Sequence, residues 1–115
     1  MDFQEVMESL NNCMKLEKGW DSYSAPPPSD SAIDNARDFI IEANKLGVVP
    51  SRLSASAVGG VGITFRPTRM VYVEFHNKGT SYALFSDGGE VEKIVEVDSS
   101  LYQNFIESIH EFLGK

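Results

Sequence analysis

The chain is poor in the residues from which catalytic and metal sites are most often built. Its 115 residues include one cysteine and two histidines. Cys13 has no second cysteine with which to form a disulfide, and with His76 and His110 alone it cannot complete a zinc site without carboxylate ligands. Neither histidine has a Ser, Cys or Asp nearby that makes a recognisable nucleophile–base pair. The sequence therefore predicts no catalytic, cofactor-binding or metal-binding residues.

Positive charge is also scarce. Lys and Arg number 10 against 17 Asp and Glu, which gives a net charge of -7. The basic residues are scattered from Lys15 to Lys115, whereas binding a phosphate backbone needs a concentrated cationic surface. We therefore expect no direct binding to nucleic acid, and the acidic balance suits docking onto a basic protein.

Long apolar runs are missing as well. No segment approaches the roughly 18 consecutive apolar residues that span a membrane. Residues 1–5 lack the cationic region and apolar stretch with which a signal peptide begins. Together with the single cysteine, these absences predict a cytoplasmic protein in a reducing compartment, with no membrane association.

Three segments carry apolar residues at helical spacing. The first covers residues 2–17, with Met14 on its apolar stripe. Ser29 is a good N-cap for a second helix that stops near Gly47, and Asp98 or Ser99 caps a last helix. The sequence therefore predicts two helices before residue 50 and one at the C-terminus.

Between these helices the apolar period changes from 3.6 to 2. Strands are predicted at residues 61–66, 70–76, 80–86 and 90–97, and residues 53–57 add a fifth, edge strand in an alternative interpretation. The short connections make neighbouring strands antiparallel. A meander with one apolar face needs a cover, so the three helices should pack on that face of a single α+β domain over the whole chain.

The least generic residues form a recurring pattern. The pattern consists of Gly19-Trp20-Asp21, Ala25-Pro26, Pro28-Ser29, Ala32-Ile33, Ala36 and, at the start of a strand, Gly59-Gly60-Val61. Over about residues 10–97 the chain resembles an uncharacterised family of short bacterial and phage-borne proteins. Thr64-Phe65 stands where that family often has Glu-Trp, so the acid is missing here. The family's members are similar in size and setting to antitoxins and to inhibitors of bacterial defence systems.

Two interpretations of the Trp20 segment stay open. Trp20, Tyr23 and the prolines that follow suit an exposed recognition surface, because Trp and Tyr are frequent hot-spot residues. Alternatively, Trp20 fills the end of the helical layer while Asp21 caps local backbone N–H groups.

Two further sets of residues suit contact with a partner. Met70 and Tyr72 alternate with the apolar core positions of their strand, so they leave the opposite sheet face apolar as well. Glu90, Glu92 and Glu96 share a parity and are predicted to project to one face. They form either a docking surface for a basic protein or a solvated face that discourages edge aggregation.

These observations predict a small acidic, non-catalytic protein-binding module that inhibits or regulates a larger protein, in the manner of an antitoxin or an anti-defence inhibitor such as an anti-CRISPR. One alternative is a small enzyme with an unrecognised carboxylate-based site. Another is a self-associating structural domain, such as a homodimer. The predicted partner-binding residues are Met70, Tyr72, Glu90, Glu92, Glu96, Trp20 and Tyr23.

Overall fold

A computed structural model of the chain describes residues 1–21, 23, 25–66 and 69–114. Two helices precede a five-stranded antiparallel sheet and one helix follows it, which confirms the predicted α+β fold. The elements in chain order are α1 (Phe3–Cys13), α2 (Asp30–Lys45), β1 (Arg52–Ser56), β2 (Gly60–Phe65), β3 (Arg69–His76), β4 (Ser81–Asp87), β5 (Glu90–Glu96), a 3₁₀ turn (Ser99–Leu101) and α3 (Tyr102–Leu113).

Each strand of the sheet pairs with its neighbours in sequence, in the order β1-β2-β3-β4-β5. The meander has five strands rather than four. The additional edge strand predicted at residues 53–57 is β1, which pairs with β2. The short connection at residues 67 and 68, between the second and third strands, lies outside the described residues.

Side-chain caps explain where the first two helices begin. Asp2 accepts a hydrogen bond from the Glu5 backbone N–H at 2.8 Å and so opens α1. Ser29 Oγ accepts from the Ala32 N–H at 3.1 Å and opens α2, as predicted. α2 ends before Gly47, whose φ of 75° is the left-handed conformation common after a helix.

The predicted first helix is too long. α1 ends at Cys13, four residues before the predicted end at residue 17. Asn11 and Asn12 are weak helix formers, and their carbonyls accept turn hydrogen bonds from Met14 and Lys15. Met14 consequently lies beyond the helix and is 54% exposed instead of joining the apolar stripe.

All three helices cover one face of the sheet. α1 packs against β1, α2 against β2 and β3, and α3 against β3. Phe39 of α2 is fully buried at the centre, where its ring meets Phe65, Phe75, Tyr102 and Phe105 at centroid distances of 5.4–6.1 Å. The core therefore lies between the helices and one sheet face. No helix in the described part of the chain is both long and apolar enough to cross a membrane.

Candidate functional site

The sheet surface that faces away from the helices is here named the open face. Directly paired residues of adjacent strands share a face, and the register arranges most of this surface in three rows. The first row is Arg52–Thr64–Tyr72–Leu84–Ile94, the second is Met70–Ser86–Val91 and the third is Ser54–Gly62–Glu74–Tyr82–Glu96.

The first two rows expose apolar side chains. Ile94 is 67% exposed and Val91 is 57% exposed, both on the edge strand β5. Leu84 and Met70 beside them are half-buried. Contiguous apolar patches of this kind mark interaction surfaces in soluble proteins.

The third row is built around a buried carboxylate. Glu74 is only 3% exposed, although it lies on the open face. It accepts hydrogen bonds from the hydroxyls of Ser56, Tyr72 and Tyr82. Three hydroxyl donors thus satisfy the Glu74 carboxylate, whose burial without hydrogen-bond partners would be unfavourable.

A glycine makes room for this arrangement. A Cβ at Gly62 would lie 2.5 Å from the Tyr72 hydroxyl oxygen and 2.9 Å from Tyr72 Cε2. The Tyr72 ring therefore lies over the bare Gly62 backbone, and its hydroxyl reaches Glu74 at 3.3 Å. Tyr72 therefore contributes to the structure of the sheet, by packing on Gly62 and donating to Glu74, independently of any contact with a partner.

The two tyrosines are held in their protonated form. Burial, followed by the charge of Glu74, raises the pKa of Tyr72 to about 12. The hydrogen bond to Glu74, followed by burial, raises the pKa of Tyr82 to about 12. Both hydroxyls therefore act as donors at neutral pH.

Glu90, Glu92 and Glu96 of β5 do not all lie on the same face of the sheet. β5 has an irregularity opposite Phe85 and Ser86, where the register leaves Glu92 as an extra residue. Glu96 pairs with Tyr82 on the open face, whereas Glu90 pairs with Asp87. The prediction that these glutamates share one face is therefore wrong, because the bulge changes the parity of the strand.

The pairing of Asp87 identifies the face on which Glu90 lies. Arg69 pairs with Asp87 and forms an ion pair with it at 3.3 Å. The Arg69 guanidinium also lies 5.2 Å from the centroid of the Phe112 ring in α3. Glu90 consequently belongs to the helix side of the sheet.

The Trp20 segment closes on itself. Trp20 is half-buried, and its Nε1–H donates to the Pro26 carbonyl at 3.0 Å. The Asp21 carboxylate accepts from the backbone N–H groups of Tyr23 at 3.0 Å and Ala25 at 3.3 Å. The capping of local backbone N–H groups by Asp21 is thereby confirmed, whereas Trp20 contacts the proline segment and Tyr23 is 86% exposed.

Asn77 joins distant parts of the recurring pattern. Its side chain accepts from the Ser29 N–H at 2.7 Å and donates to the Pro27 carbonyl at 3.0 Å. A Cβ at Gly59 would lie 2.9 Å from Asn77 Nδ2 and 3.1 Å from Pro26 Cγ. The proline segment and the glycine turn therefore form one tightly packed contact.

The cysteine and the histidines lie apart. Burial raises the pKa of the Cys13 thiol, so Cys13 is a poor nucleophile. His76 Nδ1 accepts from the Lys78 N–H at 3.3 Å, and His110 is exposed on α3. Within the described ranges, no three His, Cys, Asp or Glu residues form a group that could hold a metal ion.

The sequence interpretation missed Glu74. The available signal was an acid at an outward position of a strand whose inward residues, Val73 and Phe75, are core residues, with Tyr72 two positions earlier. Its burial depends on Tyr82 of the next strand and on Gly62, so the full arrangement needs the register. In comparisons with known proteins, no family model matched the chain, and no curated protein or solved structure matched it either.

Proposed function

We propose that this chain is a non-catalytic protein-binding module that contacts a larger protein through the first two rows of the open face. The observation that carries the proposal is the exposure of Val91 and Ile94 beside half-buried Met70 and Leu84. Within the described residues, none of these four side chains belongs to the core that the helices form with the sheet.

The composition of the two rows favours a protein as the partner. From β2 to β5 the two rows contain Thr, Tyr, Leu, Ile, Met, Ser and Val and no charged residue, and Arg52 of the edge strand β1 ends the first row. A predominantly apolar and aromatic surface without charge at its centre is typical of a protein interface. A net charge of -7 disfavours a phosphate backbone at the same surface.

The partner contacts the face of the sheet rather than its β5 edge. The bulge at Glu92 interrupts the regular ladder that an added strand would need. Lys93 stands at the same edge, with Nζ 4.5 Å from the centroid of the Phe85 ring. A bulge and an edge lysine are two devices that prevent strand addition.

The carboxylate-based enzyme is the weaker candidate. Glu74 is the carboxylate in this region with an unusual environment, but its oxygens already accept three hydroxyl hydrogen bonds. A substrate would have to displace Tyr72 or Tyr82 to reach it. We therefore assign Glu74 to positioning the tyrosines of the open face.

The experiment is capture of partners from the host lysate with tagged wild-type chain, followed by affinity measurement with the purified partner. Ile94→Lys and Val91→Lys each place a charge in the patch, and we expect at least about tenfold weaker binding. Val58→Lys is the matched control, because Val58 is 65% exposed in the β1–β2 turn.

Two measurements decide between the candidates. Equal binding by wild type and by Ile94→Lys would contradict the proposal, provided that both melt at the same temperature. If sedimentation shows that the captured partner is a second copy of the chain, self-association replaces binding to a larger protein. Regulation requires in addition that the purified chain changes the activity of the captured partner.

A further inference from the structure

A second candidate site lies on the helix side, around the hydroxyl of Tyr102. Two neighbouring clefts of about 540 and 600 Å³ meet there and share Ser99 and Tyr102 in their walls. The first runs along α2 past Asp38, and the second lies between the start of β4 and Asp98. Neither cleft involves the apolar rows of the open face.

Tyr102 is nearly buried, yet its hydroxyl is available. The residue is only 7% exposed, and its ring packs edge-on against Phe39 at 5.5 Å and Phe75 at 6.4 Å. Within the described residues its hydroxyl has no hydrogen-bond partner. Every fully buried side-chain oxygen in that part of the chain has a partner, so this hydroxyl reaches the open space of the clefts.

Both clefts bring a carboxylate near this hydroxyl, Asp38 in the first and Asp98 in the second. Besides burial, the charges of Asp38 and Asp98 raise the pKa of Tyr102 to about 12, which indicates a negative potential at its oxygen. Asp98 is held in place because it accepts from the Ser100 N–H at 2.9 Å and from the Ser100 hydroxyl at 2.8 Å. These hydrogen bonds lower the pKa of Asp98, so it is ionised at neutral pH.

The described lining residues include no Lys, Arg or His in either cleft. Glu42, in the first cleft, is paired with Lys45 at 3.1 Å. Asp38 and Asp98 form no ion pair within the described residues. Glu96 also lines the second cleft and likewise forms no ion pair within the described residues. Each cleft therefore contains carboxylate that no cation neutralises, from Asp38 in the first and from Asp98 and Glu96 in the second. These charges, together with the unpartnered Tyr102 hydroxyl that both clefts share, favour a cationic ligand.

We infer that the paired clefts bind a small linear organic dication, such as an aliphatic diamine, that lies across Tyr102 with one ammonium beside Asp38 and the other beside Asp98. The Tyr102 oxygen accepts a hydrogen bond from the ligand, and the hydroxyls of Ser99 and Ser100 line its path. Asp38 lines the first cleft and Asp98 the second, and Tyr102 lies in the wall of both. This division of the charges suits an extended ligand with two separate ammonium groups.

The test is titration of the full chain with putrescine at constant ionic strength, followed by amide chemical shifts and calorimetry. We expect saturable binding, with the shifts concentrated around Ser99 and Tyr102. The corresponding diol, which has no charge, should not bind. Nα-acetyl-lysine amide presents a single ε-ammonium, as a protein side chain would, and should bind at least about tenfold more weakly than putrescine.

Variants separate this site from general attraction to an acidic protein. Tyr102→Phe keeps the packed ring and removes the hydroxyl, and we expect about fivefold weaker binding. Asp38→Asn and Asp98→Asn should each weaken binding about tenfold, and Asn at residue 98 can still cap the 3₁₀ turn. Glu8→Gln removes one exposed charge from α1 and should change binding less than twofold.

Three results would overturn the inference. The first is the absence of saturable putrescine binding to the folded wild-type chain. The second is equal weakening by Glu8→Gln and Asp38→Asn, which would show that net charge alone attracts the amine. The third is binding of acetyl-lysine amide as tight as that of putrescine, which would leave no role for the second carboxylate.

Discussion

The two faces of the sheet differ in what satisfies their side chains. On the helix side, Val61, Ile63, Val71 and Val73 are fully buried under the helices, and apolar packing alone explains their positions. On the open face, Glu74 is the only buried charged residue among those that the structure describes, and hydroxyls from three strands satisfy it. One face is thus held by packing and the other by register-dependent hydrogen bonds beside an exposed apolar patch.

This difference indicates which parts of the chain can change without loss of the fold. Removing apolar atoms from the packed face leaves a cavity, whereas removing them from the exposed patch leaves only a smaller surface. The third row of the open face should show an intermediate loss of stability. Its polar groups are buried, but water can approach them when a hydrogen-bond partner is removed.

The largest expected effect is in the packed face. We expect Phe39→Ala to lower the free energy of unfolding by about 3–5 kcal/mol, because Phe39 is fully buried among four aromatic rings. Ile94→Ala, on the open face, should stay within about 0.5 kcal/mol of wild type. Urea denaturation of both variants measures the contrast, and similar losses in the two would remove the distinction between the faces.

The next effect concerns Glu74. Glu74→Leu leaves three hydroxyls without their acceptor, and we expect a loss of about 2–3 kcal/mol in the free energy of unfolding. Glu74→Gln retains an acceptor oxygen and should cost about 1 kcal/mol. A Glu74→Leu variant more stable than wild type in urea would mean that burying the charge costs more than its hydrogen bonds return.

A smaller effect is expected at Gly62. The added methyl group of Gly62→Ala collides with Tyr72, and we expect a loss of about 1–3 kcal/mol. In a Tyr72→Ala background the same substitution should cost little, because the collision is gone. A double-mutant cycle by thermal unfolding measures this coupling, and additive losses would show that Tyr72 does not lie over Gly62.

The most specific effect is a pH dependence, which is confined to alkaline solution. The folded state raises the pKa of Tyr72 and of Tyr82 from 10.0 to about 12, so it binds their protons more tightly than the unfolded chain does. Their contribution to stability is therefore complete below pH about 10 and is lost as the pH rises towards about 12.

Urea midpoints measured across this alkaline range test the pH dependence. Tyr82→Phe should flatten the decline, while Tyr23→Phe, at an 86% exposed position, is the control. If the urea midpoint of Tyr82→Phe fell with pH as steeply as that of the wild type, the alkaline loss of stability would not come from the Tyr82–Glu74 hydrogen bond.

Local signals were sufficient for most of the fold. Ser29 and Gly47 bound the second helix because capping is a property of a few adjacent residues. Alternation identified the strands for the same reason. The end of the first helix was misplaced because the apolar stripe continues past Asn11 and Asn12, whose preference for turns prevailed.

The candidate sites depend on contacts that local patterns do not contain. One extra residue at Glu92 reversed the face of Glu90, and no local feature of the sequence marks a bulge there. Tyr102 reads as an ordinary core position of α3. Only the fold shows that Tyr102 lines two clefts, one shared with Asp38 of α2 and the other with Asp98.

The contact made by Asn77 means that the start of α2 is anchored from the sheet. Asn77 forms hydrogen bonds with Pro27 and Ser29, about 50 positions earlier in the chain. Its own backbone N–H donates to the Gly59 carbonyl at 3.0 Å, so the same residue also joins the turn before β2 to the turn after β3. The geometry at the N-terminus of α2 therefore depends on a residue that is remote in sequence, and a change at Asn77 would be felt in the proline segment as well as in the turn after β3.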